Sequence, residues 1–271
     1  MKTADRSRIQ LWVAAACASC LLVQNAGATL LFSEAFNYTA PSSLAGNVNP
    51  GNSIAWSGGN AGLNIASGNL TYSGLTDQGG NELSISNLTA GSSVNTFANT
   101  TSGQIYYSYL LDVTTVDGAN DYVTALNPGT SAPNGSSDAI NTYLYSNGKI
   151  GLRTAGESTV TSSSALSLST TYFVVLEYNF ATTTASLYLD PTPGASQPAA
   201  TLTLAGSGSV TAIDDVGFKT QSTTGDFLVD NLLVGTTWGD VTPATVPEPS
   251  TWALVGSGLA LMFSVVRRRR S

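Results

Sequence analysis

Apolar residues through the middle of this chain recur at every second position, a period that belongs to strands and not to helices. In Thr184–Asp190, Ala185, Leu187 and Leu189 fall on one side and Thr184, Ser186 and Tyr188 on the other. Ala200–Leu204 repeats the pattern, with Leu202 and Leu204 inward and Thr201 and Thr203 outward. Tyr172–Tyr178 is apolar at nearly every residue, as a central strand covered on both sides would be. Ile105–Val113, Tyr122–Leu126, Ala212–Phe218 and Phe227–Val234 read as further strands. Asn147-Gly148 joins Ile140–Tyr145 to Lys149–Thr154, and Asn-Gly supplies the positive φ angles of a tight hairpin. Asn179–Thr183 reads as a longer hairpin loop. No amphipathic helical stretch of useful length interrupts them. The prediction is an all-β body, an antiparallel sandwich or jelly roll with mostly polar outer faces, over residues 29–240.

An apolar segment flanks each end of this body. Lys2, Arg6 and Arg8 precede an apolar run from Ile9 to Val23, and Ala26-Gly27-Ala28 has the spacing a signal peptidase needs. Residues 1–28 therefore read as a signal helix, cleaved after Ala28 by signal peptidase. Cys17 and Cys20 both lie inside it, so the mature body has no disulfide and no thiol chemistry.

At the other end, Val246-Pro247-Glu248-Pro249-Ser250 sits in a linker over residues 241–250. An apolar run from Trp252 to Val266 follows, closed by Arg267, Arg268, Arg269 and Arg270. Fifteen helical residues span about 22 Å against a hydrocarbon core of roughly 30 Å, so residues 251–271 read as a short transmembrane helix. The arginines stay cytoplasmic by the positive-inside rule, and the body lies outside the inner membrane.

Pro-Glu-Pro, a short apolar helix and an arginine cluster, in that order, resemble the PEP-CTERM sorting signal of exopolysaccharide-producing Gram-negative bacteria. The resemblance implies that exosortase, a membrane protease-transpeptidase, removes the tail near the motif. It implies transient anchoring in the inner membrane, then release to the cell surface or extracellular matrix. Within the body, Thr171–Tyr178, a short turn and Ala185–Asp190 resemble the paired strands of laminin-G and concanavalin-like jelly rolls. Pro191 stands where those domains place a glycine. Phe32–Phe36 and Phe227–Asn231 are similar to their first and last strands.

Composition narrows the chemistry. The ends carry seven of the ten basic residues; between 29 and 246 only Lys149, Arg153 and Lys219 face fifteen acids. Such a body repels nucleic acid. There is no histidine and no mature cysteine, which excludes Ser-His-Asp and Cys-His catalysis. Carboxylate chemistry stays open, with Asp112 and Glu177 as acids on apolar strands.

Glu34, Asp214, Asp215 and Asp230 form a candidate calcium set if the first and last strands pair, and the jelly-roll resemblance implies a structural calcium near the termini; solvated turn acids are the competing reading, favoured by the large excess of negative charge. Tyr107 with Tyr109, and Tyr143 with Tyr145, alternate on strand faces and are candidate sugar-stacking platforms; filling the core is the competing reading. Trp56 and Trp238 read as core or edge packing. The Asn-x-Ser/Thr triplets at Asn37, Asn69, Asn87, Asn99 and Asn134 read as turn residues. The expected function is a non-catalytic surface or matrix protein, sorted by exosortase and associated with extracellular polysaccharide. A secreted glycan-active enzyme and a structural coat protein are the alternatives.

Overall fold

The computed structural model describes residues 30–245, except 60–61, 87–89, 117, 119, 130–132, 135–136, 208–209 and 221–224. The signal segment with Ala26 and Ala28, the motif Val246–Ser250 and Arg267–Arg270 lie outside the described residues.

The chain enters through β1 (Leu30–Glu34), β2 (Ser42–Ser43), β3 (Ser57–Gly58), β4 (Leu63–Ala66) and β5 (Glu82–Ile85). Longer strands follow: β6 (Gly91–Thr100), β7 (Gln104–Val113), β8 (Asp121–Asn127), β9 (Ile140–Leu144) and β10 (Ile150–Thr154). Then come β11 (Val160–Thr161), β12 (Thr171–Asn179), β13 (Thr184–Leu189), β14 (Leu202–Ala205), β15 (Ile213–Thr220), β16 (Phe227–Gly235) and one turn of helix, α1 (Trp238–Val241). Among the described residues these make two antiparallel sheets. The first runs β14-β13-β12-β7-β16-β5-β4-β2, with β1 also on β16; the second runs β11-β10-β9-β8-β15-β6-β3.

The predicted strands form where the two-residue period placed them, and the first and last strands do pair, Glu34 opposite Leu232. β16 serves two partners along one edge: Phe227–Val229 pair with β5, whereas Leu232–Gly235 pair with β1. The ladder to β7 shifts register between Asp230 and Leu233, and Asn231 there takes φ 51. This is a bulge that bends one strand between two neighbours.

The sheets close on a single apolar layer. Val174, Leu176 and Tyr178 of β12, Ile105, Tyr107, Tyr109 and Leu111 of β7, and Ile140, Leu144, Ile150, Leu152, Val216 and Phe218 of the second sheet are all buried in it. Trp56, 1% exposed, belongs to this layer beside Phe36 and Phe218. The outer face of the first sheet departs from the expected polar surface. Tyr106, Leu110, Phe173, Val175, Tyr188 and Leu233 form a second apolar cluster there with Leu70, Leu75 and Val241. Trp238 packs on it edge-on to Tyr188 at 5.0 Å and Tyr106 at 6.1 Å. Alternation alone cannot anticipate this, because the covering residues come from loops and α1.

The packed body also reaches past the expected boundary at 240. Val241 is fully buried, Pro243 and Thr245 exchange backbone hydrogen bonds with Thr76 and Gly74, and Ser108 donates to the Val241 carbonyl at 2.7 Å. Residues 241–245 of the expected linker are thus part of the domain.

Two turns differ from expectation in detail. In the β9–β10 hairpin only Gly148 has positive φ, at 76. Tyr145 N–H bonds the Lys149 carbonyl and Gly148 N–H the Tyr145 carbonyl, giving a three-residue loop with a glycine bulge in place of a two-residue turn. Asn147 contributes its side chain instead, accepting from Lys149 N–H. At the end of β13, Asp190 takes the left-handed conformation (φ 52) ahead of Pro191, and its carboxylate accepts from Phe173 N–H at 2.9 Å.

Candidate functional site

Three carboxylates that the sequence offers for chemistry are absorbed by the fold. Glu34 lies at the end of β1, 2% exposed, and accepts from four donors: Phe36 N–H at 2.7 Å, Tyr38 O–H at 2.6 Å, Asn49 Nδ2 at 2.8 Å and Trp56 Nε1 at 2.9 Å. Burial, with the Glu34 carboxylate second, holds the Tyr38 phenol far above its ordinary value. Glu177 of β12 accepts from Gln104 at 2.6 Å and from Tyr188 and Gln197 at 2.7 Å. Asp230 sits in the β16 bulge, accepting from Asn231 N–H at 2.7 Å and Leu70 N–H at 2.9 Å. Burial pushes it up to about 8 despite these donors, and Glu82 and Asp77 add to the rise. Asp112, on the outer face of the first sheet, is raised by burial alone.

The calcium set does not come together. Glu34 and Asp230 belong to the first sheet, and Asp214 and Asp215 to β15 of the second. Asp214 accepts from Gly129 N–H. Asp215 lies opposite Asn127 in register, fully buried, with neither oxygen at hydrogen-bonding geometry to a donor. Its burial is the main cause of a pKa pushed up to about 8, with Asn127 opposing the rise and Asp214 and Asp138 adding to it. Among the described residues no group of three or more acids is placed to hold a metal ion.

The tyrosines divide between faces, which corrects the stacking-platform expectation for two of them. Tyr107 and Tyr109 are fully buried between the sheets, where their hydroxyls bond Thr124 at 2.7 Å and Thr142 at 2.8 Å across the core. An inward position on β7 cannot meet a ligand. Tyr143 and Tyr145 lie on the outer side of the second sheet, Tyr143 closely packed at 7% exposure and Tyr145 half-buried.

Around them is an arrangement the sequence did not disclose. Tyr122 packs 4.4 Å from Tyr143, and Tyr143 6.5 Å from Tyr145. The Lys219 ammonium lies 4.6 Å above the Tyr122 ring. Arg153 donates through Nη1 to the Tyr143 hydroxyl at 3.4 Å and through Nε to the Glu157 carbonyl at 2.9 Å. Strands β10, β9, β8 and β15 stand side by side and carry these residues. The basic residues were countable from the sequence; their convergence depends on pairing β8 with β15, strands far apart in the chain.

At Thr245, the last described residue of the packed body, begins a segment that matches a family model. Residues 245–270 match the model described as the PEP-CTERM protein-sorting motif. The chain carries a PEP-CTERM sorting motif. It is accordingly an exported protein, sorted by exosortase as such motifs direct in Gram-negative bacteria. The matched segment starts at the last described residue of the sandwich, so the tail and the packed body meet without an intervening domain.

No curated protein matches this chain over its sequence. Among solved structures it is similar to a sialidase, at 11% identity and a TM-score of 0.50, covering 79% of this chain and 19% of that one. The chain thus spans about a fifth of the sialidase's length, and at this identity the likeness shows the fold alone. Trypanosoma rangeli sialidase in complex with the inhibitor DANA is similar at 12% identity, with 85% of this chain and 36% of that chain covered and a TM-score of 0.48. A protein of unknown function from Shewanella oneidensis MR-1 is similar at 15% identity, with 91% and 99% covered and a TM-score of 0.46.

Proposed function

We propose that this is a non-catalytic protein of the cell surface or extracellular matrix, whose sandwich associates with exported polysaccharide after exosortase removes the tail. The observation that carries the reading is the sorting motif at 245–270, directly after a body whose last strand and helix turn are packed. Export into a polysaccharide layer makes glycan the polymer this body meets.

The non-catalytic part is supported by the occupation of the buried acids. General acid–base or nucleophilic work needs a carboxylate free to meet substrate. Glu34 and Glu177 each accept three or more hydrogen bonds inside the protein, and Asp230 is bound by two backbone groups. In this reading Glu34, Asp214, Asp215 and Asp230 serve the fold, and no structural calcium is part of it. A thermal melt in calcium should coincide with one in chelator; a rise with calcium would restore these acids as ligands.

The sorting half is tested by the mass of the protein recovered from the cell surface. Termini at Thr29 and within Val246–Pro249 are expected, and an intact Arg267–Arg270 end on exported protein would overturn it. The binding half is tested by incubation with a panel of polysaccharides. Retention without shortening of the polymer is expected. Bond cleavage would make the protein a glycan-active enzyme, and neither retention nor cleavage would make it a structural coat.

A further inference from the structure

All three basic residues of a body with fifteen acids lie on one face. In β10 the inward positions are Ile150 and Leu152, so Arg153 and, at the strand's entry, Lys149 take outward positions. In β15 Phe218 is inward and Lys219 outward by the same alternation. All three are partly exposed.

Their immediate partners position the charges without cancelling them. Lys219 rests on the Tyr122 ring, and Arg153 is held by a phenol oxygen and a backbone carbonyl. Tyr122 and Tyr143, in contact at 4.4 Å, tie the two mounts into one array. Among the described residues none of the three cations forms an ion pair. In a protein with five acids for every base, a carboxylate is the ordinary neighbour of a cation, so three unpaired cations together are a departure that requires a reason. Of the acids on this face, Asp215 lies towards its other end opposite Asn127, and Asp138 accepts from Asn141, the residue that stands opposite Arg153 in register. Glu157 offers Arg153 its backbone and not its carboxylate.

We propose that this outer face of the second sheet binds an acidic polysaccharide, a pyranose chain bearing carboxylates, through Lys219, Arg153 and Lys149, with the half-buried Tyr145 ring against a sugar face. The proposal rests on the glycan-binding reading above and deepens it by naming the polymer class and the face. Arginine suits the task because its planar fork matches a carboxylate in two hydrogen bonds. The rest of the body repels such a polymer, so attachment is confined to the one patch where the local charge is favourable. A strongly acidic protein can then be held in an acidic matrix in a single orientation.

The test uses the full chain, purified in mild detergent, against immobilised polygalacturonate and its methyl ester, which share a backbone and differ in charge. The acid form should bind and the ester should not, with binding falling steeply between about 0.05 M and about 0.5 M salt as the charges are screened. Lys219→Gln with Arg153→Gln should weaken binding about tenfold, the loss of two half-exposed ion pairs. Lys219→Arg, which keeps the charge, should retain binding, and Lys149→Gln, at a hairpin end, tests the face without touching the tyrosine array. The tail arginines are present in every variant, so they cannot account for a difference. Equal binding of acid and ester would overturn the charge assignment and leave the glycan reading standing. Binding to neither polymer would overturn the inference, and the glycan reading falls with it only if the wider panel is also not retained. Undiminished acid binding by the double variant and by Lys149→Gln would overturn the placement on this face.

Discussion

A carboxylate that accepts from four donors away from water is difficult to replace, because each donor is left partly unpaired when it goes. Glu34→Gln keeps the size of the side chain but turns an amide toward the Tyr38, Asn49 and Trp56 donors. Chemical denaturation should show a loss of about 2–4 kcal/mol. Among the tyrosines, Tyr109→Phe gives up a buried hydrogen bond to Thr142 and should cost about 1 kcal/mol. Tyr178→Phe removes a buried hydroxyl with no hydrogen-bond partner and should be close to neutral. Asp215 and Asp230 set a pH dependence opposite to that of a salt-bridged acid. Both are raised to about 8 in the folded protein from an ordinary 3.8, so between these values the folded state holds protons the unfolded chain has lost. Their contribution is fully present below about pH 4 and is lost as pH rises toward about 8. The melting temperature, followed from pH 9 down to pH 5 (about the range concerned), should rise, and Asp215→Asn with Asp230→Asn should flatten the trend.

Within single elements, alternation was enough to locate β7, β12, β13 and β16, whose apolar content is high. It was not enough for β6, in the polar stretch Gly91–Thr100, because that strand buries only Val94 among its large apolar residues. Its place is set by ladder bonds to β15, which reach across more than a hundred residues of chain. The β9–β10 hairpin was legible as a turn from Asn147-Gly148, though its loop length was not. Gly148 takes φ 76, and a Cβ there would come within 3.2 Å of the Ala165 Cβ. Gly148→Ala should therefore cost about 1–2 kcal/mol, read as a lowered denaturation midpoint with an unchanged slope. The same change at Gly103, with φ 75 and open space around it, should cost only the backbone strain of about 1 kcal/mol.

Across the whole molecule, the sorting tail and the charge balance were readable at once, because a sorting motif is a local run of residues and charge balance is a matter of composition. Acid-rich composition and the absence of histidine stated what the body would repel and which catalytic sets it lacked. The two-residue period established that strands form and that each has an apolar and a polar side. It could not say which side faces the partner sheet or what covers the other. Tyr107 and Tyr143 have the same local pattern in sequence, yet one fills the core and the other joins the outer array. Glu34 and Asp230 come close in register as expected, yet each is claimed by donors from loops that local pattern does not place. The sequence by itself determined strand content, the sorting of the chain and the excess of acid. Only the tertiary structure decided that the three bases share a face, since long-range sheet pairing, and not neighbourhood along the chain, sets which side chains meet.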